Sequence, residues 1–323
     1  MGDLTHRLIE TNGIQMHVVE KGAGPLVLLC HGFPESWYSW RRQIQALAET
    51  GFHVVAPDMR GYGQTEAPAA IDQYSMPHLV GDMVGLLDAL GENTGVIAGH
   101  DWGGPVAWYS AVMRPDRFRA VIGLSVPYRP RGKVRPTSVM PRTDDAVFYQ
   151  LHFQPPGVAE AELEEDVRAS IRSVVLQNSG EAPAGRDNFG MVSKLGGMRA
   201  GLKAGSLAPL PGWLTDADVD FYVGEFSRTG FRGGLNWYRN IDRNWEMLAP
   251  FAGSRVSVPA LYVVGERDLV LTFPGAKEMV ANLRTVVPQL RQTIMLPDCG
   301  HWTQQERPDA VNAAMIGFLQ GLE

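Results

Sequence analysis

Three residues suited to chemistry stand where apolar, strand-like runs end. Asp101 follows "GVIAGH", Asp268 follows "ALYVVGER" and His301 follows "TIMLPDCG". The ends of strands in an open α/β sheet are where side chains from separate strands converge on a ligand. Two carboxylates and an imidazole gathered there can supply a nucleophile, a base and a group that orients the base. In "AGHDWGGP", Gly99, Gly103 and Gly104 surround Asp101. Small neighbours suit a chain that turns from strand into helix within a few residues. The helix that starts there aims its unpaired N–H groups and its dipole at position 101. The backbone N–H of Trp102 is then one candidate donor to an oxyanion, and that of Phe33 in "HGFP" is the second. A serine at position 101 would serve acyl transfer. An aspartate there marks either an inactive form of such a site or a different chemistry.

Positioning these groups takes a particular set of elements. "IQMHVVE" alternates as a half-buried strand, while "PLVLLC" and "HVVAPD" are continuous apolar runs of the kind covered on both faces. Helices are predicted from Trp37 to Ala48 and over "MPHLVGDMVGLLDALG", where Leu79, Val80, Met83, Val84, Leu87 and Leu90 share a face and Gly91 is the stop. Strand "GVIAGH", a helix from about Trp102 to Met113 and strand "AVIGLS" follow. Such alternation implies a mostly parallel sheet. "PYRPRGKVRPTSVMPR", residues 127 to 142, leaves the sheet. From about 144 to 245 the pattern is helical, with no strand. The helices are "AELEEDVRASIRSVV", "LTDADVDFYVGEFSRTG" with Thr215 or Asp216 at its N-cap, and "LNWYRNIDRNW". A Gly-rich segment, 178 to 212, reads as a long functional loop. Strands resume at "PALYVVGERD" and "RQTIMLPDCGH", and helix "DAVNAAMIGFL" closes the chain. The fold class is α/β. Residues 1–126 and 246–323 form the core, and 127–245 form an inserted helical lid.

The 323 residues are 45% hydrophobic and 20% charged, an ordinary globular composition with material for a sizeable core. A formal net charge of −6 argues against a nucleic-acid partner. The acidic cluster "EAELEED" reads as the solvated start of a helix. Cys30 and Cys299, the only two cysteines, build neither a disulfide framework nor a zinc spacing and read as buried small residues. The eight histidines show no metal-ligand spacing, so no metal is expected. "RGYGQTEAP" carries no nucleotide-binding pattern, so no cofactor is expected either. "MGDLTHRL" has no signal-peptide apolar region, His6 breaks the myristoylation pattern, and no apolar run is long enough for a membrane span. The expectation is a cytoplasmic protein without a membrane partner. No feature supports a homodimer.

The order nucleophile, acid, histidine is that of the α/β-hydrolases. "HGFPESWYSWRRQI", "PDMRGYGQTEAP", "GHDWGGPVAW", "SVPYRP", "YQLHFQPPGVAEAELE", "GFRGGLNWYRNIDRNW" and "DCGHWTQQERP" extend that likeness along essentially the whole chain. The sequence resembles the epoxide hydrolases of the α/β-hydrolase fold, in particular the C-terminal catalytic domain of the vertebrate soluble enzymes and their bacterial relatives. The resemblance implies that Asp101 is the nucleophile, Asp268 the acid and His301 the base. It also implies that Tyr149 in "FYQLHFQ" and Tyr238 in "NWYRN" are the lid tyrosines that hold the epoxide oxygen. His152 stands where relatives commonly carry an aromatic residue, and the sequence leaves open whether it lines the pocket or faces solvent.

The residue chemistry agrees with that likeness. A carboxylate is already anionic at neutral pH and can displace at saturated carbon to give an alkyl ester. The opened ring is a basic alkoxide, for which phenols are suitable acids. His301, oriented by Asp268, would then activate water against the ester, with a small apolar epoxide and water as the only partners. Trp37, Trp102, Trp302 and Phe33 are expected to line an apolar pocket. The alternatives are a dehalogenase with the same nucleophile and a non-catalytic ligand-binding protein. Haloalkane dehalogenases typically carry Asn where this chain has Phe33, and haloacid-type relatives commonly carry Arg where it has Trp102.

Overall fold

The computed structural model describes residues 4–182 and 190–322. Eight strands form the main sheet: β1 (Thr5–Thr11), β2 (Ile14–Lys21), β3 (Leu26–Cys30), β4 (His53–Pro57), β5 (Gly95–His100), β6 (Phe118–Leu124), and, after the small pair β7 (Ala146–Phe148) and β8 (Met191–Ser193), β9 (Ala260–Gly265) and β10 (Leu290–Leu296). Their spatial order is β1-β2-β4-β3-β5-β6-β9-β10. From β4 to β10 every neighbour pairs in parallel, whereas β1–β2 and β2–β4 are antiparallel. β3, β5 and β9 are buried along their whole length, as strands covered on both faces must be. Alternation divides each strand between two cores. Leu28 and Cys30 of β3 join Leu79, Met83 and Val106 on one side. Val27 and Leu29 join Ile44, Leu47 and Met315 on the other.

Between β6 and β9 lies the helical insertion. Its helices span Tyr149–His152, Val158–Leu163, Val167–Gln177, Arg199–Gly205, Asp216–Thr229, Arg232–Arg239 and Ile241–Met247. Buried residues of these helices, among them Leu163, Ile171, Phe226 and Trp237, belong to the same apolar cluster as β3 and β5. The insertion is therefore packed onto the sheet through a continuous core.

Several sequence expectations change in detail. "AELEEDVRASIRSVV" forms two helices, because Asp166 leaves helical geometry and its carboxylate accepts from the Ala169 N–H at 2.9 Å. "LNWYRNIDRNW" breaks at Asn240, whose side-chain amide donates to the carbonyls of Ile71 and Asn236. Residues 144–245 do contain strands, the antiparallel pair β7–β8. The Gly-rich segment 178–212 carries β8 and the helix Arg199–Gly205, and residues 183–189 of it lie outside the described residues, as do residues 1–3. "EAELEED" is not simply a solvated start. Glu162 is buried, 3.1 Å from His152 Nε2, and accepts from the Met198 N–H. Among the described residues no helix is long and apolar enough to cross a membrane.

Candidate active site

Asp101 sits between β5 and the helix Gly103–Met113 with φ 49°, a left-handed conformation uncommon for a residue with a side chain. Backbone contact dictates the small residues beside it. A Cβ on Gly99 would lie 1.9 Å from the Gly103 carbonyl oxygen, so the turn closes only on glycine. The loop after β3 presses on the elbow from the other side, where a Cβ on Gly32 would meet the Asp101 side chain at 2.4 Å. That close approach lets the Phe33 N–H donate to Asp101 Oδ1 at 2.8 Å. Trp102 is the N-cap of the helix that follows.

His301 and Asp268 arrive on the loops after β10 and β9. His301 Nε2 lies 3.4 Å from Asp101 Oδ2, and Nδ1 lies 3.0 Å from Asp268 Oδ1. Asp268 Oδ1 also accepts from the Val270 N–H, so the short turn Leu269–Thr272 fixes the carboxylate. Burial alone would raise the Asp101 carboxyl. The hydrogen bond and charge of His301, with the Phe33 N–H, outweigh it and hold the group below the usual carboxylate range. Burial alone would depress the imidazole of His301. The charges of Asp268 and Asp101 overcome that and raise it well above the usual value. Both shifts favour a charged Asp101 and a protonated His301 in the resting site.

Above these groups a cavity of about 930 Å³ separates sheet and insertion, lined by Asp101, His301, Tyr149 and Tyr238 together with a mostly apolar wall. Tyr149 opens the helix Tyr149–His152 and Tyr238 lies on Arg232–Arg239, their rings 5.9 Å apart. Burial raises both phenols, and the charge of Asp101 adds to it. They are phenol donors that face a carboxylate across the cavity. Such a set can stabilise an alkoxide that forms when the anion attacks carbon.

A family model described as alpha/beta hydrolase fold matches residues 25–188. Epoxide hydrolase A of Mycobacterium tuberculosis is 45% identical over 327 residues, covering 100% of this chain and 99% of that protein. Epoxide hydrolase 3 of Siraitia grosvenorii is 42% identical, with 99% of each chain covered. Among solved structures, an epoxide hydrolase from an endophytic Streptomyces matches with a TM-score of 0.95 at 46% identity, over 100% of this chain and 97% of that one. The chain belongs to the epoxide hydrolases of the α/β-hydrolase fold.

With the family settled, the dehalogenase and the non-catalytic alternatives fall away. In this epoxide hydrolase Asp101, His301, Asp268, Tyr149 and Tyr238 come together, and Phe33, Trp102 and Trp302 line the same cavity, except that Asp268 stands behind His301. Trp37 does not line it. Its ring packs on His6 and Phe221 and belongs to the core on the opposite face of the sheet, so the expected pocket role is withdrawn. His152 is not a lining residue either; it pairs with Glu162.

Further buried residues with no sequence signal of their own brace these loops. His100 Nδ1 lies 2.9 Å from Glu35 Oε2 and Nε2 lies 2.7 Å from the His301 carbonyl oxygen. Glu35 also accepts from the Gly32 N–H, so one buried pair ties the Phe33 loop, the elbow and the His301 loop together. Glu306 accepts from the N–H groups of Gly180, Gly300 and Trp302, fastening the insertion to the His301 loop. Ser125 ends "AVIGLS", and the strand-end criterion that selects Asp101 would have selected it too.

Proposed function

We propose that the enzyme converts apolar epoxides to vicinal diols through an alkyl ester on Asp101, which His301-activated water then hydrolyses. The observation that carries this reading is a carboxylate facing two buried phenols in one apolar cavity, with an imidazole beside it. In the first half-reaction Asp101 Oδ2 bonds to a ring carbon, the carbon–oxygen bond breaks, and Tyr149 and Tyr238 donate to the alkoxide. Esterification removes the Asp101 charge, one of the causes that keep His301 protonated. The imidazolium can then pass its Nε2 proton to the alkoxide, leaving a hydroxyl and a free Nε2 to act as base, while Asp268 keeps Nδ1 protonated and Nε2 turned to the site. In the second half-reaction water attacks the Asp101 carboxyl carbon and gives a proton to His301 Nε2. The Phe33 and Trp102 N–H groups hold the oxyanion, and it collapses as His301 gives its proton to the leaving ester oxygen, which releases the diol and leaves the Asp101 carboxyl to return a proton to His301. Residues 127–245 act as the lid that supplies the phenols and excludes bulk water, over a core of 1–126 and 246–323.

His301→Gln tests the division of labour. The variant should still form the alkyl-enzyme on adding styrene oxide and stall there, visible as a stoichiometric adduct on Asp101 by mass spectrometry. A folded variant with no adduct contradicts the reading.

A further inference from the structure

The imidazole of His301 has a second oxygen on the side away from substrate. Ser125 Oγ lies 3.0 Å from His301 Nδ1, the nitrogen that also faces Asp268 Oδ1 at 3.0 Å. Ser125 follows β6 directly, is fully buried, and does not line the cavity. Its backbone is in the left-handed region, φ 69°, where a residue with a side chain is strained. Three contacts hold it there. Its N–H donates to the Val263 carbonyl at 2.9 Å, its own carbonyl accepts from Tyr262 Oη at 2.6 Å, and the Val126 N–H closes back on Leu124. An over-determined strained residue whose hydroxyl ends on the base is a reason to look for function.

We propose that Ser125 is a positioning residue for the hydrolytic half-reaction, its Oγ accepting from His301 Nδ1–H alongside Asp268. The neighbouring acid makes a second acceptor useful, because Asp268 Oδ1 is shared with the Val270 N–H. With Asp268 keeping Nδ1 protonated, Ser125 Oγ accepts from it and helps hold the ring with Nε2 turned to the site. It also stabilises the imidazolium that forms as water is deprotonated, when a hydrogen bond to a charged group counts most. Asp101, Asp268 and the His100 ring face the same imidazole, and esterification removes the charge of Asp101. Ser125 does not touch substrate, so ring opening by Asp101 does not involve it. The inference rests on the ester mechanism proposed above.

Ser125→Ala and Ser125→Gly separate the hydroxyl from the strain. Both lose the acceptor, while glycine adopts φ 69° without penalty. Rapid-quench single turnovers of styrene oxide with excess enzyme give alkylation and hydrolysis rates separately, across pH. Alkylation should stay within about twofold of wild type, and hydrolysis should slow about tenfold in both variants. The alkyl-enzyme should accumulate, kcat and KM should fall together, and the pH midpoint of hydrolysis should move down. Glycine should be at least as heat-stable as wild type and no better catalytically than alanine. Wild-type hydrolysis in the glycine variant overturns the proposal, as does an equal loss in both half-reactions. Absence of an alkyl-enzyme in wild type and in His301→Gln would instead remove the ester mechanism beneath it.

Discussion

On the proposed mechanism His301 would have to hold its proton at one stage of the cycle and give it up at another. In the resting site it is held protonated by Asp268 and Asp101, which outweigh its burial. Once Asp101 is esterified, that anion is gone and the imidazole is easier to deprotonate. The sign is fixed: removing a nearby negative charge lowers the pKa of a cationic acid. The hydrolytic rate should therefore rise with pH and level off, with a midpoint below the pKa that NMR reads for His301 in the free enzyme. Single-turnover hydrolysis measured across pH tests this. A rate that falls as pH rises contradicts His301 as the base. Asp101 would meet the complementary demand, since holding its carboxyl below the usual range favours the anion that the proposed attack needs.

At the scale of elements, the elbow makes a differential prediction. Gly99→Ala puts a Cβ 1.9 Å from the Gly103 carbonyl, a backbone clash that the turn cannot relieve. Gly104→Ala meets nothing closer than the Val126 carbonyl oxygen at 3.3 Å. The first should destabilise the protein by about 3 kcal/mol or more, and the second by about 1 kcal/mol or less, in denaturant melts. Equal costs would contradict the account of the turn. Strand ends were legible because β3, β5 and β9 are continuous apolar runs with the acting residue just beyond them. The pair β7–β8 was not, because three-residue strands carry no period and form only where tertiary structure brings them together. The breaks at Asp166 and Asn240 depend on what those side chains find to bond. Glu35, His100 and Glu306 carry no signal of their own for the same reason: each bonds a partner far along the chain. Trp37 was misread because proximity to "HGFP" in sequence does not decide which face of the sheet it packs on.

Across the whole molecule, insertion and core are tied at a point away from the cavity. Asp218 accepts from Tyr38 Oη at 2.9 Å and from Thr215, and lies 2.9 Å from Arg41 Nη2. Arg41 in turn donates to Gln305, four residues beyond His301. Burial would raise the Asp218 carboxyl, but Thr215, Arg41 and Tyr38 together hold it below the usual range. A depressed carboxylate stabilises the fold above its unfolded pKa of about 4 and loses that contribution as pH falls through its folded value. Asp218→Asn should therefore cost about 3 kcal/mol at pH 7, and the gap to wild type should shrink as pH drops below about 4. Thermal melts at both pH values check this; a gap independent of pH contradicts the ion pair as the fastening.

The covalent ester is the central claim, and isotope transfer tests it most directly. A single turnover of styrene oxide by excess enzyme in heavy-oxygen water should leave the label in the Asp101 carboxylate, because water attacks that carboxyl carbon and the diol leaves with an enzyme oxygen. Label in the diol after that first turnover, with none in Asp101, would mean direct hydration of the epoxide and would contradict the account.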